Sequence, residues 1–118
     1  MSKDKVFAFL SPIENLPKWS TKFIQKIIRT DGKYKAITPI GEVFIRMDAN
    51  EKEGLIDIYA GPTEKTMTPA YMRIISLLDG STAVMFTFFQ YATTPDTIWK
   101  IFCEWIKIEV ENIKKHFS

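Results

Sequence analysis

Apolar and polar residues follow two rhythms along this chain, and the rhythm changes near residue 23 and again near residue 94. From Phe23 to Tyr91 the apolar residues come in short runs: FIQKIIR (23–29), KYKAIT (33–38), EVFIRMD (42–48), LIDIYA (55–60), AYMRIISLL (70–78) and STAVMFTFFQYA (81–92). Runs of this kind, bounded by Gly, Pro, Asn and Asp, predict strands. Asp31-Gly32 between the first two runs is a hairpin signal. Six successive strands with short connections predict an antiparallel meander.

The flanks carry helical spacing. Residues 4–10 predict a short helix, with Asp4 as its cap and Val6, Phe7, Phe9 and Leu10 as its apolar face, stopped by Ser11-Pro12. A brief turn over Ile13 to Leu16 follows, and Pro17 redirects the chain before Trp19, which stands beside Ser20 and Thr21. At the other end Thr94-Pro95-Asp96 supplies an N-cap, a proline for the first helical position and an acid facing the helix dipole. In the helix that follows, Ile98, Phe102, Trp105, Glu109 and Ile113 form one line, and Trp99, Cys103, Ile106, Val110 and Phe117 form the adjacent one. Apart from Glu109 that stripe is apolar, and it is wide enough to lie against a sheet.

Together these elements predict an α+β fold: a curved antiparallel sheet of about six strands wrapped around a long C-terminal helix, with two short N-terminal helices closing one end. Strand faces are harder to assign, because runs such as MFTFF blur the alternation that identifies an inner face. Either both faces are partly covered, or the interior holds a cavity lined by Met and aromatic side chains.

Length and composition narrow the function. The 118 residues form a single domain, 1–118, large enough to bury roughly two-thirds of the surface of the unfolded chain. Sixteen Lys and Arg against fourteen Asp and Glu are too balanced to predict nucleic-acid or membrane-surface binding from charge. Aromatic residues make up 14% of the chain, more than a minimal core needs. The single cysteine, Cys103, calls for no oxidising compartment. No run reaches the roughly eighteen apolar residues of a membrane span, and the N-terminus carries no secretory signal. The expected location is therefore cytoplasmic, and no cofactor is called for.

Several stretches in order resemble the SRPBCC or START-like superfamily of helix-grip, polyketide cyclase-like proteins. They are VFAFLSPIENLPKW (6–19), TPIGE (38–42), GLIDIY (54–59), PAYMRII (69–75), DGSTAVMFTFF (79–89) and TPDTIWKIFCEWIKIEVENIKKHF (94–117). The resemblance implies a hydrophobic cavity between sheet and C-terminal helix, used across the superfamily for lipids, sterols, polyketides and other apolar molecules. Some members are aromatase/cyclase enzymes and others only bind or transport. One departure stands out: the superfamily normally opens with a long strand, and here only Met1, Ser2 and Lys3 precede Asp4. Its absence predicts an open sheet edge, and a homodimer contact through that edge.

The residues expected to line the cavity are Trp19, Met72, Met85, Trp99, Phe102, Cys103 and Ile106, a set of adaptable Met and aromatic side chains around one amphipathic helix. Asp57 and Arg73 interrupt apolar strands; they form either a cross-strand ion pair on the solvent face or polar groups that orient a ligand head group inside. Glu42, Asp48, Glu104 and Glu109 are the remaining acid or base candidates, with Glu104 and Glu109 assigned to the helix surface or its edge. Cys103 reads as a small buried hydrophobe rather than a nucleophile, since the only imidazole, His116, stands more than three helical turns away. One His and one Cys do not make a zinc site. Binding of a small hydrophobic molecule without catalysis is therefore the first expectation. A cyclase or dehydratase is the second, and it needs a titratable pair facing inward. A structural or oligomeric protein with a filled interior is the third.

Overall fold

A computed structural model describes residues 1–118. Its first element, helix α1 (Lys3–Leu10), starts one residue earlier than the sequence predicts, because Ser2 rather than Asp4 caps it: the Ser2 hydroxyl accepts from the Lys5 amide at 3.4 Å. Val6, Phe7 and Leu10 are its buried face. A single 3-10 turn (Ile13–Asn15) leads into the one-turn helix α2 (Leu16–Trp19), with Pro17 in its first turn, where a missing N–H costs nothing.

Strands β1 (Lys26–Thr30), β2 (Lys33–Thr38), β3 (Gly41–Asn50), β4 (Leu55–Gly61), β5 (Thr68–Ser76) and β6 (Thr82–Thr87) follow, and helix α3 (Asp96–His116) closes the fold. The strands pair in chain order in one antiparallel sheet of six, so the molecule is the expected α+β arrangement of meander, long C-terminal helix and short N-terminal helices. Thr30 pairs with Lys33 across Asp31-Gly32, and both turn residues have positive φ, 53° and 74°. That is the primed geometry that a two-residue hairpin requires, and Asp-Gly tolerates it. The sheet does not close: β1 pairs only with β2, and β6 only with β5. The last predicted strand is the most shortened, since pairing stops at Thr87 opposite Tyr71 and Phe88 and Phe89 leave the ladder.

Cross-strand register resolves the faces. Ile56 lies opposite Met72 and Ala49, Met72 opposite Phe86, and Ile74 opposite Val84, all on the face that receives α1 and α2. Leu10, Leu16, Trp19, Ile56, Met72 and Ile74 are the largest fully buried side chains, so the core lies between the N-terminal helices and the middle of the sheet. Phe44, Asp57, Tyr59, Tyr71, Arg73 and Met85 occupy the alternate positions and therefore the outer face.

Helix α3 begins at Asp96 rather than at Pro95. Pro95 is the capping position, and the Thr94 hydroxyl accepts from the Tyr91 amide instead of from the helix. Its 21 residues run roughly 32 Å. Only Glu109 and Ile113 of the helix are fully buried, so α3 is gripped near its C-terminal end and lies loosely along its N-terminal half. No helix is both long and apolar enough to cross a membrane.

A cavity beneath the C-terminal helix

The loose half of α3 leaves space under it. A cavity of about 230 Å³ lies between α2, the inner faces of β3 to β6, and α3. Its floor is the inward register set Val43, Ile45, Ile58, Ala60 and Phe86, its roof is Phe102, Trp105 and Ile106, and its inner end is Leu16, Trp19 and Ser20. Ile40, 62% exposed, and the exposed Thr68 mark the rim.

The aromatic side chains form two groups, one centred on Phe102 and one joining Trp19 to Phe86. Phe102 meets Phe23, Phe88 and Trp105 with ring centroids 5.5 to 6.1 Å apart, two of these contacts edge to face. Trp19 meets Phe86 edge-on at 6.0 Å. These are the separations that aromatic quadrupoles favour, so the rings tie the half-exposed helix to the segments just before β1 and just after β6 without filling the space beneath it. Gly61 at the rim brings the β4–β5 connection close: a Cβ there would lie 2.6 Å from the Thr66 carbonyl oxygen.

At the inner end the cavity meets its one ionisable group. Glu109 is 5% exposed, and its Oε1 accepts a hydrogen bond of 2.5 Å from the Ser20 hydroxyl. No cation lies within ion-pair distance of it. Burial pushes the carboxyl up to about 7, and the Ser20 hydrogen bond offsets only part of the shift. One turn further on, the Asn112 side-chain amide donates to the Trp19 carbonyl and to the Thr21 hydroxyl, both at 3.0 Å. The segment WST thus ties α2 to α3: Trp19 fills the core, Ser20 binds Glu109, and Thr21 binds Asn112.

Of the residues expected at the cavity, the structure brings Trp19, Phe102 and Ile106 into its lining. Met72 is buried in the core on the same sheet face, nearer α1. Trp99 stacks on Phe88 at 5.6 Å with planes 7° apart and stands outside the lining, as does the half-buried Cys103. Met85 is 52% exposed on the outer face, opposite Arg73. Asp57 and Arg73 share that outer face but are not directly paired: Asp57 lies opposite Tyr71, and Arg73 opposite Leu55. Strand alternation therefore points both away from the cavity.

Glu109 is the residue whose placement the sequence misassigns. It belongs to the interior, not to the helix surface with Glu104, because it occupies the same line as Phe102, Trp105 and Ile113. That single acid on an apolar stripe is the signal that could have found it. No group of three or more His, Cys, Asp or Glu side chains is placed to hold a metal. His116 instead stacks on Phe9 at 3.7 Å.

In comparisons with known proteins, no family model matches this chain and no curated protein matches it.

Proposed function

We propose that the protein is a binding module of the helix-grip, START-like kind, which holds a small and mainly apolar molecule between its sheet and its C-terminal helix. The observation that carries this reading is the 230 Å³ cavity with 15 hydrophobic residues among the 21 that line it. Apolar cavities of about 150 Å³ already take up benzene, while drug-sized sites begin near about 300 Å³. The ligand is accordingly of the size of one ring or a short branched chain, smaller than a sterol or a long acyl chain. The loose N-terminal half of α3 supplies the route of entry, since that half is held by aromatic contacts at the rim rather than by deep burial.

Native mass spectrometry of the freshly purified protein, followed by extraction, tests the reading. A retained apolar molecule in this size range, displaced by substituting Ala60→Phe in the cavity floor, is the expected result. A ligand-free mass together with no response to a panel of single-ring compounds contradicts it.

One observation favours a second reading, an enzyme that moves a proton. A carboxyl poised near 7 at the end of a mainly apolar cavity has the affinity a general base needs at neutral pH. Glu109 stands alone there, with the Ser20 hydroxyl as its only polar partner. Loss of turnover of a bound carbonyl compound in Glu109→Gln, with binding retained, would favour the enzyme.

A further inference from the structure

The polar end of the cavity is asymmetric in a way that bears on what it binds. Glu109 Oε1 is taken by Ser20, but no protein donor reaches Oε2. Nor is Oε2 sealed off, for Trp19 Nε1 is the only fully enclosed side-chain nitrogen or oxygen left without a partner. The second carboxyl oxygen is thus unpaired and not fully enclosed, on a residue that lines the cavity. No Lys, Arg or His and no second acid contributes to that lining from α2, from the sheet or from α3. A buried carboxylate without a counter-charge is a costly arrangement, and a ligand that brings the positive charge relieves it.

The walls point the same way. Trp19, Phe23, Phe86, Phe88, Phe102 and Trp105 all line the space, and the negative faces of aromatic rings attract a cation. A ligand with a carboxylate or phosphate head meets the opposite situation: like charge at Glu109 and no Lys, Arg or His in the lining to pair with it.

Resting on the reading of this cavity as a ligand site, we propose that it selects a small apolar amine, a single ring or short chain ending in an ammonium group that donates to Glu109 Oε2. Ser20 is then a positioning residue, holding Oε1 so that the other oxygen faces the ligand.

Three probes that share one ring and differ only in the head group test this: 2-phenylethylamine, 2-phenylethanol and phenylacetate, titrated calorimetrically at pH 8. The amine is expected to bind at least tenfold tighter than the alcohol, the range of one charge-assisted hydrogen bond, and the alcohol tighter than the acid. In Glu109→Gln the amine should fall to within about threefold of the alcohol, whose own affinity reports that the cavity is intact. The same collapse of the amine preference is expected in the unaltered protein at pH 5, where the Glu109 carboxyl is neutral, so the test does not depend on the variant folding. An amine that binds no tighter than the alcohol, or a preference that survives both pH 5 and Glu109→Gln, overturns the amine proposal while leaving the cavity reading in place. Failure of all three probes to bind overturns the cavity reading, and the amine proposal with it.

Discussion

The two halves of α3 solve the problem of lying on a sheet differently. The C-terminal half is locked: Ile113 is buried in the core, Glu109 is tied to Ser20, and Asn112 spans to the Trp19 carbonyl and Thr21. The N-terminal half has no hydrogen bond to the rest of the fold beyond Gln90 with Asp96, and its side chains from Ile98 to Ile106 are half-buried or exposed. Its attachment is aromatic, through Phe23, Phe88, Phe102 and Trp105. Directional bonds fix a helix at one position, whereas ring contacts tolerate sliding and rotation. The cavity lies on the tolerant side and its polar end on the fixed side, which is the arrangement expected of a site that opens at one end and recognises at the other.

The contrast can be probed by substitutions of graded severity. The largest effect should come from Trp19→Ala, which empties the junction where α2, α3 and the sheet meet; a loss of about 3–5 kcal/mol in urea denaturation is expected. Next is Glu109. Its folded-state carboxyl keeps its proton to about 7, whereas in the unfolded chain it titrates near 4.5. The folded state therefore binds the extra proton between these values, and stability is highest below 4.5, declines as pH rises through that window and levels off above 7. The decline attributable to this group is about 3 kcal/mol, and Glu109→Gln should flatten it when stability is measured across that range.

Asn112→Ala should cost about 1–2 kcal/mol by leaving the Trp19 carbonyl without its donor. In hydrogen exchange it should also erase the difference between the halves: in the unaltered protein, amides of 108–114 are expected to exchange about tenfold or more slowly than those of 98–104. The smallest effects belong to the outer face of the sheet. Arg73→Ala and Met85→Ala should each change stability by no more than about 0.5 kcal/mol and leave probe binding in the cavity unaltered.

Where the sequence was legible follows from the same physics. The Asp31-Gly32 hairpin, the meander and the long amphipathic helix are local signals, each written within a dozen or so neighbouring residues, and the structure repeats them with shifts of a few residues at the ends. The α3 start moved by one because Pro95 satisfies the cap geometry while Thr94 turns back to Tyr91. Cavity lining was legible only in part, since it depends on which strand face turns inward and on where the helix lifts away. The hydrophobicity of Met85 and Trp99 suggests the interior, but register puts Met85 on the outer face and Trp99 stacks on Phe88 outside the lining. Helical lines place Phe102 and Glu109 together, and a lone acid on an apolar line needs a buried partner rather than the helix surface. That partner, Ser20, lies 89 residues away in sequence and becomes visible only once the chain has folded.

The central claim is that the space under α3 is open to a ligand and is not closed by its own side chains. A crystal structure of the protein under xenon pressure tests it most directly, because xenon enters dry apolar cavities and is seen without ambiguity. Xenon bound between Ile58, Phe86 and Phe102, with the helix unmoved, is the result predicted. Phe102 and Trp105 packed down onto Ile58 and Ala60, with no xenon at that place, would contradict it.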